Sequence, residues 1–216
     1  MNTDYARLQM VNQQVRGWNV YDERVLAMLR ELPREHFVPY GFESLAFADL
    51  AIPLGHGEHM MTPTIEGHVL QALGLRGSET VLEIGTGSAF MTACLAKLSA
   101  QVTSVDIYDD FIESARRKLE AEGIENVKLM QMDATQELPA GEFDAIAVTG
   151  SIQAFDPRYV EALAPNGRLF MVVGEAPVME AKLIERTNDH DWHTISLFET
   201  DLPPLVHGAL PPQFSF

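Results

Sequence analysis

Apolar positions change their spacing near residue 80. Before it they recur every three or four residues: Tyr5, Leu8, Val11 and Val15, then residues 23–32, then Ile65, Val69, Leu70 and Leu73. That spacing keeps one helix face apolar and predicts amphipathic helices packed on a larger body. Arg16-Gly17-Trp18 interrupts the first helix, Asp22 stands where an N-cap belongs, and Pro33 follows the second. After residue 80 the apolar residues gather into short runs at 81–84, 102–105, 127–132, 143–149 and 168–173. Helical patterns separate them at 91–98, 111–119 and 159–163. The alternation predicts an α/β fold with a doubly wound, mostly parallel sheet covered on both faces. Beyond Ala176, residues 182–186 and 192–198 alternate around a polar turn at 188–191, and predict an antiparallel hairpin at the sheet edge. His190 and His193 are expected on the surface. The proline-rich tail, 201–208, either folds over the rim or trails.

The sharpest local pattern opens the second half. Residues 80–84 read as a buried strand, followed by Gly85-Thr86-Gly87-Ser88-Ala89-Phe90, a helix, and a strand ending on Asp106. Glycines at 85 and 87 let the backbone turn and approach a ligand closely. An acid roughly 20 residues past the first glycine suits ribose hydroxyls, so the unit reads as an adenosine-cofactor site. Gly85-x-Gly87-x-Ala89 is shorter than the dinucleotide fingerprint. Glu83 places a negative charge beside the loop, which opposes a pyrophosphate and suits the sulfonium and ammonium of S-adenosyl-L-methionine. The plain alternative is that Glu83 only pairs with a neighbour. Asp133 and Thr149 end two further strands, so four strands deliver polar groups to the rim where such sheets bind ligands.

Residues 52–63, Ile-Pro-Leu-Gly-His-Gly-Glu-His-Met-Met-Thr-Pro, follow neither period. A loop beside a cofactor unit is a natural seat for function; a plain connector is the alternative. His56, Glu58 and His59 are closely spaced with no further ligand cluster, so no metal is expected. Arg116-Arg117-Lys118 is expected as a solvated face.

Composition narrows the partners. Of 216 residues, 15 are basic and 31 acidic, a formal net charge of −16. That is a poor match to nucleic acid and to an anionic membrane. No apolar run approaches the length of a membrane span, and residues 1–7 lead into no signal segment. A single cysteine, Cys94, allows no intramolecular disulfide and fits a cytoplasmic setting; it reads as a small buried apolar residue. With no linker or repeat, one domain over 1–216 is expected: a helical cap with an active-site loop at 1–75, and a cofactor-binding sheet at 76–216.

Several segments then combine: Leu32-Pro33-Arg34-Glu35-His36-Phe37-Val38, Ile52-Pro53-Leu54-Gly55-x-Gly57, the strand and glycine loop at 81–88, Phe143-Asp144-Ala145-Ile146-x-Val148-Thr149, Gly167-Arg168-Leu169 and Pro204-Leu205-Val206. Together they resemble the protein-L-isoaspartate O-methyltransferase family over nearly the whole chain. The resemblance implies a Rossmann-like class I methyltransferase fold with S-adenosyl-L-methionine at the rim. It also implies methyl transfer to an isoaspartyl carboxylate of a protein or peptide, a protein-repair activity. By the same resemblance Glu83, Gly85, Thr86, Gly87 and Ser88 surround the methionine part, Asp106 holds the ribose, and Asp133 lies near the adenine. Ile107, Ala134 and Thr149 complete the cofactor-binding set.

The departures bear on the acceptor. The family usually reads Thr-Ile-Ser-Gln-Pro where this chain has His59-Met60-Met61-Thr62-Pro63, so the serine at the methyl-transfer site is Met61. Ala89 replaces a glycine, and Asp106 stands where glutamate is frequent. Glu199 and Asp201 precede Pro204-Leu205 where some relatives carry an arginine, and two acids there would repel an isoaspartyl carboxylate. His59 or Thr62 would supply the replacement donor and are the candidate catalytic residues; for a hydroxyl or amine acceptor His59 would be a base. Three readings stay open: an isoaspartyl methyltransferase, a methyltransferase with another acceptor such as a small molecule, and a catalytically silent binding protein. The intact rim argues against the last.

Overall fold

The structure, a computed structural model, describes residues 3–188 and 191–209. Its first third is helical. α1 (Thr3–Gln9) continues through a π turn, Met10–Val15, and a 3-10 turn, Arg16–Trp18. α2 (Glu23–Glu31) begins at Asp22, whose carboxylate accepts from the Arg24 and Val25 amides that the first turn leaves unpaired. Part of the stretch expected as a loop is instead an antiparallel hairpin, β1 (Ile52–Gly55) and β2 (Glu58–Met60). His56 and Gly57 turn it at φ 53° and 85°, and two successive left-handed residues match the twist of a tight hairpin. α3 (Pro63–Leu73) starts on Thr62 as cap with Pro63 in its first turn, and stops at Gly74 in the left-handed region.

The remaining strands form one sheet: β3 (Thr80–Ile84), β4 (Gln101–Asp106), β5 (Val127–Gln131), β6 (Phe143–Ile152), β7 (Leu163–Glu175), β8 (Val178–Arg186) and β9 (Trp192–Thr200). Their spatial order is β5-β4-β3-β6-β7-β8-β9. The first five are parallel neighbours; β8 and β9 add antiparallel. The crossovers carry α4 (Phe90–Leu98), α5 (Asp109–Ala121) and α6 (Arg158–Glu161). The edge hairpin is thus β8–β9; residues 189 and 190 of its turn lie outside the described residues, and His193 is exposed.

Strand side chains alternate between two cores, as the pleat requires. Val81, Ala145, Ala147, Phe170 and Val172 pack with residues of α2, α3 and α4. Leu82, Ile84, Ile146, Val148 and Met171 pack on the other face with Tyr159 and Val160 of α6. Each fully buried large aliphatic side chain contributes about 1.5–3 kcal/mol, so the frame holding the rim is stiff. The chain runs outward from β3 to β4 and β5, then returns and runs the other way from β6 to β7. The loops after β3 and β6 therefore diverge and leave a crevice at the carboxyl rim. The tail crosses this rim: Ser151 donates to the Pro203 carbonyl and Leu205 to the Ser151 carbonyl, each at 2.8 Å. Among the described residues no helix is long and apolar enough to cross a membrane.

Candidate active site

A cleft of about 840 Å3, partly open to solvent, occupies that crevice. Gly85, Thr86, Gly87, Ser88, Asp106, Ile107, Asp133, Ala134, Thr149 and His59 all line it; Glu83 and Thr62 do not. The glycine loop is set by its neighbours. Gly85 has φ 99°, and a Cβ there would lie 2.3 Å from the Thr149 hydroxyl oxygen. That hydroxyl bonds the carbonyls of Ile84 and Gly85 at 2.9 and 2.8 Å, so Thr149 braces the loop from the next strand. Asp106 accepts the Gly87 amide at 2.9 Å on one oxygen and the Tyr108 amide at 3.0 Å on the other. Burial pushes its pKa up, against the pull of those amides. Its remaining lone pairs can accept ribose hydroxyls. Asp133 takes the Thr135 amide and hydroxyl at 3.0 and 2.6 Å, and His207 at 2.8 Å. Burial raises its pKa, but the bonds from Thr135 and His207 outweigh it and the net shift is downward.

Glu83 departs from the sequence reading. It is fully buried behind the loop, where one carboxyl oxygen accepts from both Ser104 and Thr92 and the other has no partner. Burial pushes its pKa to about 8, with the two hydroxyls resisting. At neutral pH it is mostly protonated, so it does not supply the standing negative charge expected beside the loop. The acids that do face the cleft are Glu58, Glu66, Asp106 and Asp133, and among the described residues no lysine or arginine lines it. Glu66 is buried and its charge is met by Arg34, so a preference for a cationic ligand over a pyrophosphate rests on the other three.

At the other end Met60 and Met61, both buried, form an apolar wall. Arg34 fixes this wall from behind. Its guanidinium is entirely buried and donates to both oxygens of Glu66 (3.0 and 3.1 Å), to the Met61 carbonyl (2.7 Å) and to the Ala46 carbonyl (2.8 Å). Burial pushes Glu66 up to about 7, with Arg34 opposing. The Thr62 hydroxyl accepts the Ile65 amide at 3.4 Å and bonds the Thr64 hydroxyl at 2.9 Å; it is spent on capping α3, not on the cleft. His59 lines the cleft from β2 and is exposed. Glu199 and Asp201 are exposed and outside the lining; the tail contributes Pro203, Pro204, Leu205 and Val206 instead. The repulsion expected from those acids therefore does not act at the cleft wall.

The sequence reading did not single out Glu66 or Tyr108 and weighed Glu58 only as a metal ligand; all three also line the cleft. Burial and the Asp106 charge raise Glu58. The hairpin is held over the loop by His56, whose ring stacks on Tyr108 at 4.0 Å and bonds Asp110 at 3.0 Å. Lys118, expected on a solvated face, reaches the carbonyls of Phe37 (2.7 Å) and Ser88 (3.0 Å), with its pKa pushed down to about 8 by burial and by Arg117. Cys94 is buried, and burial raises its pKa.

A doubly wound sheet with a glycine loop after β3 and an acid at the end of β4 defines the S-adenosylmethionine-dependent methyltransferase class. The donor set fits that nucleoside: an acid with free lone pairs where β4 ends, apolar flanks at Ile107, Met132 and Ala134, and no cation to repel a sulfonium. The family model described as "Protein-L-isoaspartate(D-aspartate) O-methyltransferase (PCMT)" matches residues 6–209, and the chain belongs to that family. It is 33% identical over 207 residues to protein-L-isoaspartate O-methyltransferase 2 of Pelobacter propionicus, covering 95% of this chain and 92% of that one. It is 38% identical over 196 residues to the Anaeromyxobacter dehalogenans protein-L-isoaspartate O-methyltransferase, covering 89% and 93%. In fold it is similar to a provisionally named protein-L-isoaspartate O-methyltransferase of Plasmodium falciparum, solved with S-adenosyl-L-homocysteine. That likeness has a TM-score of 0.80 at 20% identity, over 92% of this chain and 97% of that one.

Proposed function

We propose that this protein methylates the free carboxylate of isoaspartyl residues in proteins or peptides, with S-adenosyl-L-methionine as donor. The observation that carries this is the family match over residues 6–209 together with a cleft at the carboxyl rim in which the glycine loop, Asp106 and Asp133 stand beside an apolar wall of Met60 and Met61. Bound there, the cofactor supplies an electrophilic methyl group on a sulfonium. The acceptor carboxylate, with an ordinary pKa near 4, is already ionised at neutral pH, so the chain need supply no base. Its work is positioning and exclusion of water. Gly85, Thr86, Gly87 and Ser88 hold the methionine part, Asp106 and Ile107 the ribose, and Asp133 and Ala134 flank the adenine. Thr149 acts through the Gly85 carbonyl, and Glu83 from behind the loop. Met60 and Met61, pinned by Arg34, form the dry wall on the acceptor side. Loss of one hydroxyl contact there costs on the order of 3 kcal/mol, or about 10²-fold in rate, which slows the reaction without abolishing it. His59 is the remaining polar group from the catalytic pair and orients the acceptor. A cytoplasmic setting is supported by the single buried thiol.

A second reading follows from the lining itself. Besides the Arg34-paired Glu66, the carboxyls of Glu58, Asp106 and Asp133 face the cleft and among the described residues no lysine or arginine does, which favours a neutral acceptor over an anion. The two separate in one assay: methyl transfer to an isoaspartyl peptide beside its aspartyl twin. Transfer to the first alone supports repair. Background rates on both, with cofactor bound, would leave the small-molecule reading.

A further inference from the structure

Lys118 of α5 spends its charge on main-chain carbonyls. Its ammonium donates to Phe37 at 2.7 Å and to Ser88 at 3.0 Å, and among the described residues no carboxylate pairs with it. Phe37 and Ser88 are both buried, and among the described residues neither carbonyl accepts a main-chain amide. A buried carbonyl needs a donor, and one side chain here serves two. Packing alone would be met at lower cost by an uncharged side chain, because burying a cation is disfavoured. The two carbonyls belong to different parts of the site. Ser88 lines the cleft from the glycine loop. Phe37 follows the 3-10 turn Arg34–His36, and Arg34 holds the Met61 carbonyl of the apolar wall.

We propose that Lys118 is a positioning residue for the cofactor: it fixes the glycine loop through the Ser88 carbonyl and ties that loop to the segment from which Arg34 sets the acceptor wall. This rests on the cofactor reading above. Lys118 itself does not line the cleft, so it acts through Ser88 and touches no ligand. Asp106 holds the Gly87 amide and Thr149 the Gly85 carbonyl; Lys118 supplies the third hold, where the loop runs into α4. The segment it ties in leans on the same place. The Phe37 ring meets the Phe90 ring edge-on at 5.5 Å, and the Arg34 guanidinium lies 5.3 Å from the centre of that ring. Those ring contacts permit sliding, whereas two bonds from a charged donor set direction and distance. His36 bonds Glu122 at 2.6 Å, so the end of α5 grips residues 36–37 twice and reaches the glycine loop through Lys118.

The test is calorimetric titration of the full chain with S-adenosyl-L-homocysteine, which binds without reacting. Lys118→Met keeps the stem and removes both bonds, and affinity should weaken about tenfold. Lys118→Arg, whose planar fork carries donors enough for both carbonyls, should recover most of the loss. Unchanged affinity in a folded Lys118→Met would overturn the proposal and leave Lys118 a support of the fold alone. So would a folded Lys118→Arg that binds no better than the methionine variant. If the variants do not fold, hydrogen exchange on the wild type decides. The nucleoside should slow the amides of 85–90 and also those of 36–38, which line no part of the cleft. Protection confined to 85–90 sinks the idea. No binding heat from the wild type would overturn the cofactor reading itself, a separate result.

Discussion

Ala89 shows how a residue can satisfy a pattern and still be strained. It occupies the family's third-glycine position at φ 68°, fully buried, as the N-cap of α4. The left-handed region costs an L-residue about 1–2 kcal/mol, part of which a glycine's looser unfolded chain would return. The substitution also removes a buried methyl worth about 0.8 kcal/mol, so Ala89→Gly should shift stability by less than about 0.5 kcal/mol in urea unfolding, and a loss above about 1 kcal/mol would contradict the backbone reading. Asp106 is the opposite case, a side chain with two amides fixed and lone pairs to spare. Hydrogen bonds to a charged group are worth about 1.5–3 kcal/mol, so Asp106→Ala should weaken cofactor binding at least about tenfold by calorimetry. Both residues were legible in the sequence because glycine-loop spacing fixes backbone and acid together. Glu66 was not: it sits one position from Ile65 in an otherwise apolar helical pattern, and only its buried partner explains it. Glu83 was found but misjudged, since a sequence gives a carboxyl's position and not its burial.

Among elements, the β1–β2 hairpin was missed for a physical reason. Its tip is tied to the body by His56, through ring contacts with Tyr108 and Phe111 and a bond to Asp110, and such contacts leave no periodicity. The sheet, by contrast, was read strand by strand, because buried parallel strands are continuous apolar runs. The segment around Arg34 joins these levels. One guanidinium binds α3 through Glu66, the wall through Met61 and the preceding loop through Ala46. Removing one partner of a buried pair leaves a charge without compensation and typically costs about 3–5 kcal/mol. Arg34→Ala should lose that much in denaturant unfolding, and Glu66→Leu alone should also destabilise. The double variant Arg34→Met with Glu66→Leu should recover part of the loss. Additive losses in the double variant would show that the two do not act as a pair.

For the molecule as a whole, the buried acids set a pH dependence. Glu66 and Glu83 have folded pKa values above the unfolded 4.5, so the folded state holds more protons between about pH 4.5 and 8. Stability must then fall as pH rises through that window. The charge of −16 pushes the same way through self-repulsion. Asp133, with its pKa lowered, acts oppositely, but only in acid, where its contribution is lost. The cofactor-free protein should be less stable at pH 8 than at pH 6, by about 2 kcal/mol from Glu83 alone. Chemical denaturation at the two pH values checks this; a rise instead of a fall would mean both acids are ionised throughout.

The tail, which the sequence left undecided between covering and trailing, crosses the rim and grips Asp133 through His207. The crossing borders a cleft that stays partly open, so the grip narrows a nucleoside's way out without closing it. Where such a strap must loosen before product leaves, departure and not bond making paces turnover. A rapid-quench trace should accordingly show a first round of ester formed ahead of a slower steady rate, and His207→Ala should quicken the steady rate while leaving the initial round untouched.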